Sequence, residues 1–176
     1  EAYGEYSTQN SALALMPRHP HLAVLKTLSK AHALAGARIG GVIADPELIG
    51  ILKTCQAPYP IAKPSAALAL QAFSEKALAT TRAGIATCLS ERDCLQKRLQ
   101  VLPMIGQVFS SDANFLLVRC TQADRLGAHL LAHGIVVRAM TQYPSLTDCL
   151  RISIGTPAEN ERLLAVLDTF HGATHA

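Results

Sequence analysis

Short apolar runs alternate with helical patterns along most of the chain, and this order limits the fold more than any other feature. Apolar runs of about four to eight residues between turn formers are typical of strands, whereas apolar positions three and four apart are typical of helices. These criteria predict strands over residues 21–29, 37–44, 114–120, 135–140 and 149–155, with the first two buried. Strands that alternate with helices in this way predict an α/β fold.

Helix signals fill the intervals between the strands. Asp45 reads as an N-cap, and Pro46 and Glu47 then supply a first helical position and an acidic first turn. We expect that helix to extend to about Thr54, before prolines at 58, 60 and 64 break the pattern. Further helices are predicted from Ser65, over 74–102 with an interruption near Gly84, over 123–134 with Gly134 as its end, and over 157–170.

Composition narrows the class of protein. Of 176 residues, 49% are hydrophobic and 16% charged, which is typical of a compact protein of one or two domains. The net charge of +3 is small and the basic residues are scattered, so nucleic acid is not the expected partner. No apolar run reaches the roughly 20 residues that cross a membrane, and no signal peptide opens the sequence. Five cysteines without a CxxC pair predict neither a disulfide framework nor a zinc site, and favour the cytoplasm.

The stretch TLSKAHALAGARIGG, residues 27–41, carries Lys30 and Arg38 in a nearly uncharged setting. The free amine of a lysine condenses with aldehydes, and an arginine presents two parallel donors to a pair of phosphate oxygens. Thr27 and Ser29 add hydroxyl groups beside the lysine. An aldehyde together with a phosphate describes pyridoxal phosphate. On these residue types alone, the simpler interpretation is that the lysine is solvated in a loop and the arginine lies at the surface, since Ser-Lys pairs and loops rich in Gly and Ala are common.

Histidines offer a weaker signal. His129 and His133 have the i, i+4 spacing of a metal chelate, but the glutamate of an HExxH motif and a third ligand are missing. We therefore interpret them as a pair on a helix surface and predict no metal site. His171 and His175 are expected to have no specific role.

Compared with known families, TLSKAHALAGARIGG closely resembles the cofactor-lysine segment of fold type I pyridoxal-phosphate aminotransferases. EAYGEY at 1–6 resembles an element of the same family, and CLRISIGT at 149–156 resembles its C-terminal substrate-binding strand. Together with 57–61, 111–120 and 134–140, the ordered set is most similar to the histidinol-phosphate aminotransferase family. His32 and Ala113 differ from the residue types that are usual at these positions in the family, but neither difference removes a chemical group assigned to the site.

The resemblance implies a cofactor, pyridoxal 5'-phosphate, and its binding residues. Lys30 would bond to the cofactor aldehyde and afterwards move the proton between the substrate and the cofactor. Thr27, Ser29 and Arg38 would bind the phosphate. Tyr3 would donate a hydrogen bond to the phenolate oxygen of the ring.

The same resemblance implies two anionic substrates, histidinol phosphate and glutamate or 2-oxoglutarate, in histidine biosynthesis. Arg151 would bind the carboxylate or the phosphate of the substrate, and Arg138 would be the second anion clamp. Tyr59, in a loop that approaches the active site in this family, receives a weaker functional assignment. A homodimer is expected because the family's active sites lie at a subunit interface.

The resemblance also implies a domain organisation. Residues 1–66 correspond to the end of the large domain of an aspartate aminotransferase-like fold, and residues 67–176 to an α/β small domain that begins with a long helix. The family's aspartate partner of the pyridine nitrogen precedes Glu-Ala-Tyr, so we expect a C-terminal half that is close to inactive alone. The alternatives are another fold type I enzyme, such as an aromatic aminotransferase or a threonine-phosphate decarboxylase, and a non-catalytic dimerisation module.

Overall fold

A computed structural model describes residues 1–170, so His171 and His175 lie outside the described residues. The chain divides into two compact units, Glu1–Ile85 and the remainder from Ala86. This division falls inside a helix, whereas the domain boundary expected from the family lies after residue 66 and stays a prediction. Among residues 1–170, no helix combines the length and the apolar character needed to cross a bilayer.

The first unit is built around an antiparallel hairpin. Strands β1 (Val24–Thr27) and β2 (Gly40–Ile43) pair with Val24 opposite Ile43 and Thr27 opposite Gly40. A Cβ at Gly40 would lie 2.7 Å from the Lys26 carbonyl oxygen, so the strands approach as closely as they do only because this residue is glycine. Both predicted strands are confirmed by these pairings.

Burial of this hairpin differs from the prediction. Val24 is buried, but Leu25 and all four residues of β2 are exposed. An apolar run reports which segment tends to be buried, and it does not report which element covers it. The expectation that both runs are buried is therefore wrong for β2 within the described chain.

Helices α1 (Pro46–Cys55) and α2 (Lys63–Ala72) follow the hairpin. Asp45 Oδ1 accepts a 2.9 Å hydrogen bond from the Glu47 backbone N–H, which confirms the predicted N-cap. Helix α2 begins two residues before the predicted Ser65. Helix α3 (Glu75–Gln100) continues through Gly84 without the predicted interruption, because one glycine costs a helix only about 1 kcal/mol.

The second unit contains a four-stranded antiparallel sheet in the order β3-β4-β6-β5. Its elements are β3 (Ile105–Val108), β4 (Phe115–Cys120), α4 (Ala123–Ala132), β5 (Arg138–Ala139), β6 (Cys149–Ser153) and α5 (Pro157–Asp168). The predicted strands over 114–120 and 149–155 and both helices are confirmed, whereas β3 was not predicted.

One face of this sheet forms the hydrophobic core with the helices. Along β4, residues at alternate positions are buried, as expected for a strand that packs on one side only. The core includes Leu95, Leu99, Leu116, Val118, Leu126, Leu130, Leu150, Ile152, Leu163, Leu164 and Leu167. The other face of the sheet carries the arginines described below.

Gly134 ends α4 as predicted. Its φ of +74° lies in the left-handed region, and the Ile135 backbone N–H donates to the Leu130 carbonyl at 2.9 Å. This hydrogen bond is typical of an α-helix that ends at a residue with left-handed backbone angles. This bond occupies the first residue of the predicted 135–140 strand. Within the predicted strand, only Arg138 and Ala139 form β5 and pair with β6.

Candidate functional site

The predicted phosphate-binding hydroxyls lie together at the end of β1. Thr27 Oγ1 is 2.8 Å from Ser29 Oγ, and the Ser29 backbone N–H donates to Thr27 Oγ1 at 3.1 Å. The Leu28 backbone N–H donates to the Ile39 carbonyl at 3.1 Å and ties the loop to the start of β2. The hairpin therefore fixes both hydroxyls on one short segment.

Lys30 follows these hydroxyls and faces Tyr3. Its Nζ lies 5.3 Å from the centroid of the Tyr3 ring, within the range of a cation–π contact. Both side chains are half-buried. The structure thus brings together two of the predicted site residues that are 27 positions apart in the sequence.

Arg38 lies at the other end of the same loop. Its side chain is exposed, and Nη1 donates to the Ala35 carbonyl at 2.9 Å. Arg38 and Ala33 both have positive φ, 57° and 55°, although neither is glycine. Such left-handed residues cost free energy and cluster at ligand-binding sites, a signal that the sequence did not reveal.

The donor set of this loop fits pyridoxal phosphate. Two hydroxyls and a guanidinium suit the phosphate oxygens, and the lysine amine suits the aldehyde. These groups lie in the first unit, on β1 and the loop that connects it to β2.

The two predicted substrate arginines meet in the second unit. Arg138 of β5 and Arg151 of β6 are direct cross-strand partners, so their side chains leave the same face of the sheet. Two cations placed opposite each other repel, and an anion bound between them would relieve that repulsion. This pairing is the most specific structural feature of the predicted anion site.

Arg151 also carries a donor without a partner. Its guanidinium lies 4.8 Å from the centroid of the Phe115 ring, and its buried Nε has no hydrogen-bond partner among the described residues. A buried donor without a partner costs free energy unless a ligand or water satisfies it. Arg138, by contrast, is exposed.

Arg119 shares this face and was not predicted. It lies on β4 two residues from Leu117, the cross-strand partner of Arg151. Its Nε, like that of Arg151, is buried without a hydrogen-bond partner among the described residues, but it lies 3.1 Å from Asp148 Oδ2. An ion pair therefore balances the charge of Arg119. The period of two along β4 places it on this face, but only the fold reveals the ion pair.

The weaker candidates do not form a site. His129 Nε2 lies 3.1 Å from Thr169 Oγ1, and His133 Nδ1 lies 2.9 Å from the His129 carbonyl. His129 thus bonds to Thr169 at the end of α5, and His133 bonds within α4 and its C-cap. Tyr59 is 94% exposed, which leaves its functional assignment a prediction.

Comparison with known proteins places this geometry in context. The family described as aminotransferase class I and II matches residues 1–167. The curated histidinol-phosphate aminotransferase of Xanthomonas oryzae pv. oryzae (strain MAFF 311018) is 53% identical over 167 residues. The match covers 95% of this chain and 46% of that protein. The chain therefore spans about half the length of the curated relatives it matches.

Solved structures share the fold. Histidinol-phosphate aminotransferase from Sinorhizobium meliloti, in complex with pyridoxal-5'-phosphate, matches with a TM-score of 0.83 at 23% identity, over 96% of this chain and 48% of that one. L-threonine-O-3-phosphate decarboxylase from Porphyromonas gingivalis matches with a TM-score of 0.84 at 20% identity, over 97% and 53%. At such identities the likeness shows the fold alone, and it confirms the predicted fold class.

Proposed function

The chain belongs to the class I and II aminotransferase family, and on that premise we propose that it carries the cofactor lysine of a pyridoxal-phosphate-dependent aminotransferase. The observation that carries the proposal is the loop after β1, where Lys30 faces Tyr3 beside a pair of hydroxyls. This cofactor needs a lysine amine, an aromatic hydroxyl and phosphate-binding donors. The amine and the donors lie on β1 and the loop after it, and Tyr3 faces the lysine from a distant part of the sequence.

Each residue of the loop has a proposed role. When bound, the cofactor supplies an electron-withdrawing ring that makes the α-proton of an amino-acid substrate acidic. Lys30 would hold the cofactor through its aldehyde and, when free, would take the proton from the substrate Cα. Thr27, Ser29 and Arg38 would bind the phosphate, and Tyr3 would donate a hydrogen bond to the phenolate oxygen of the ring.

We propose histidinol phosphate and 2-oxoglutarate as the paired substrates. The amino group moves from histidinol phosphate to 2-oxoglutarate, which yields imidazole-acetol phosphate and glutamate, a reaction of histidine biosynthesis. Both partners are anionic, and Arg151 with Arg138 supplies two cations on one sheet face. The names of the curated relatives support this choice within the family.

The cofactor assignment is tested by chemical trapping. The complete native protein is mixed with pyridoxal phosphate, reduced with borohydride and digested, and the peptides are weighed. We expect the cofactor mass on the peptide that contains Lys30, and its loss in Lys30→Ala. The control Lys53→Ala changes an exposed lysine of α1 and should retain the label. Label confined to other lysines would contradict the proposal.

The substrate assignment is tested by steady-state turnover of the complete native protein. A higher kcat/KM for histidinol phosphate than for phenylalanine supports the proposal. A preference for phenylalanine would identify an aromatic aminotransferase, and carbon dioxide release from threonine phosphate would identify a decarboxylase. A protein that binds the cofactor but turns over none of these substrates would favour a non-catalytic module.

We further propose a homodimer in the cytoplasm. The resemblance to fold type I enzymes supports the dimer, and five free cysteine thiols among the described residues suit a reducing compartment. Sedimentation equilibrium should give twice the mass of one chain, and a monomer at micromolar concentration would contradict the dimer.

A further inference from the structure

Lys26, the third residue of β1, forms ion pairs with two carboxylates, one before and one after Tyr3 in the sequence. Its Nζ lies 2.9 Å from Glu1 Oε2 and 3.6 Å from Glu5 Oε1. The side chains of Lys26, Glu1 and Glu5 are 32%, 21% and 27% exposed, respectively. Water therefore screens this network less than it screens a surface ion pair. One ammonium therefore joins two carboxylates, and Tyr3 lies midway between them in the sequence.

The segment that carries Tyr3 is held by two more hydrogen bonds. The Glu1 backbone nitrogen donates to the Leu25 carbonyl of β1 at 2.8 Å, and Glu1 Oε1 accepts a 2.6 Å hydrogen bond from the Ala12 backbone N–H. A Cβ at Gly4 would lie 3.2 Å from Lys26 Nζ, so the glycine lets the backbone pass close to the ammonium. The ion pairs of Lys26 and the hydrogen bond to Leu25 therefore hold this segment against β1 together.

Tyr3 in turn faces Lys30, at 5.3 Å from Nζ to the ring centroid. Lys26 and Lys30 lie four residues apart, on β1 and in the loop that follows it. The same short stretch thus carries both the ammonium that anchors the Tyr3 segment and the amine that the Tyr3 ring faces.

We propose that Lys26 is a positioning residue: by binding Glu1 and Glu5, it keeps the Tyr3 hydroxyl where it can donate to the phenolate oxygen of pyridoxal phosphate. This inference rests on the proposed function and deepens it. Without the ammonium, the two carboxylates would repel each other, and only the hydrogen bond from Glu1 to the Leu25 carbonyl would hold the Tyr3 segment to β1. The distance between Tyr3 and Lys30 would then be less closely fixed.

The ion pair between Glu1 and Lys26 stays charged over the working pH range. The hydrogen bond from Lys26, followed by that from Ala12, lowers the pKa of Glu1 from 4.5 to about 2. The hydrogen bond to Glu1 raises the pKa of Lys26 above 10.5. The stabilisation from Glu1 is present above pH 4.5 and is lost as the pH falls toward 2, and that from Lys26 is lost only above pH 10.5. A titration observed between these limits therefore belongs to other groups.

The test is the pH dependence of the visible absorbance of pyridoxal phosphate bound to the complete native protein. A hydrogen bond from Tyr3 stabilises the phenolate, so Tyr3→Phe should raise the pH midpoint by about one unit. Lys26→Met should raise it in the same direction by less. Lys26→Arg, which restores the charge, should return it toward the wild-type value. Lys53→Met removes an exposed charge of the same kind and should leave the midpoint unchanged.

The outcomes separate this inference from the proposed function. A wild-type midpoint in Lys26→Met, together with a raised midpoint in Tyr3→Phe, overturns the positioning role and leaves the cofactor assignment intact. An unchanged midpoint in Tyr3→Phe overturns both the role of Tyr3 and this inference. If Lys26→Met loses the native circular dichroism spectrum, Glu5→Gln replaces it, since the shorter contact to Glu1 remains. In that variant a small rise supports the inference and no rise overturns it.

Discussion

At the scale of single residues, the pairing of Arg151 with Arg138 supplies the charge of the proposed anion site. Arg151→Gln should lower kcat/KM for histidinol phosphate about 10- to 100-fold, because a charge-assisted hydrogen bond contributes about 1.5–3 kcal/mol. The kcat/KM of Arg151→Lys should fall between those of the wild type and Arg151→Gln, since lysine keeps the charge and loses the planar fork. Steady-state kinetics on the complete native protein measures both variants.

Arg119 supplies the matched control on the same sheet face. Its charge is balanced by Asp148 at 3.1 Å, so Arg119→Gln should leave the KM for anionic substrates nearly unchanged. Equal losses in Arg119→Gln and Arg151→Gln would show that the whole face, rather than the cross-strand pair, attracts the substrate.

The cysteines should differ in reactivity. Burial raises the pKa of the Cys120 thiol to about 12, so almost no thiolate exists at pH 8. Cys55 and Cys94 are exposed. We expect iodoacetamide at pH 8 to modify these two first and Cys120 only after unfolding in urea, as followed by peptide mass spectrometry. Modification of Cys120 at the rate of Cys55 in the folded protein would contradict its burial.

At the scale of elements, the turn between β6 and α5 depends on Asn160. This buried side chain accepts from the Gly155 backbone N–H at 3.0 Å and donates to the Gly155 carbonyl at 3.2 Å and to Glu91 Oε2 at 2.8 Å. A Cβ at Gly155 would lie 2.8 Å from Glu159 Cβ, so the turn is too tight for a side chain there. Asn160 therefore fixes the end of the strand that carries Arg151.

Asn160→Ala should lower the free energy of unfolding by about 1–3 kcal/mol, because it leaves half-buried backbone groups of Gly155 without their partners. Urea denaturation followed by circular dichroism measures this loss. The control Asn10→Ala removes an exposed amide and should change the free energy by less than about 0.5 kcal/mol. Equal effects of the two substitutions would contradict the role assigned to Asn160.

Elements defined by local contacts were predictable from the sequence. The cap at Asp45 and the helix end at Gly134 involve neighbours within five residues, and both were predicted. The exposure of β2 and the shortening of β5 depend on distant segments and were not. The same holds for the proposed site: the family resemblance predicts Lys30, Arg138 and Arg151, but the pairing of Arg138 with Arg151 and the network at Lys26 require strand register and tertiary contacts.

At the scale of the whole molecule, buried apolar side chains are concentrated in the second unit. Its core joins α3, α4, α5 and the covered face of the sheet. In the first unit, apolar side chains such as Leu25, Ile51 and Leu70 are exposed within the described chain. The stability of the second unit should therefore depend on ordinary core packing.

Two adjacent leucines of α4 test this dependence. Leu130 is fully buried, whereas Leu131 is 62% exposed. Leu130→Ala should lower the free energy of unfolding by about 2–5 kcal/mol through lost burial and a cavity. Leu131→Ala makes the same chemical change on the surface and should cost less than about 0.5 kcal/mol. Urea denaturation measures the free energy of unfolding of both variants. Similar losses in the two variants would show that the core lies elsewhere.

The alternation along β6 also restricts how the gene can vary. Leu150 and Ile152 face the core, and Arg151 between them faces the other side. An in-frame insertion of one codon at the start of this strand would turn Arg151 toward the core and Leu150 toward the opposite face of the sheet. An insertion of two codons would restore the alternation. The loop before the strand imposes no such parity. Length variation among natural relatives should therefore accumulate over residues 141–147 and be excluded from 149–153.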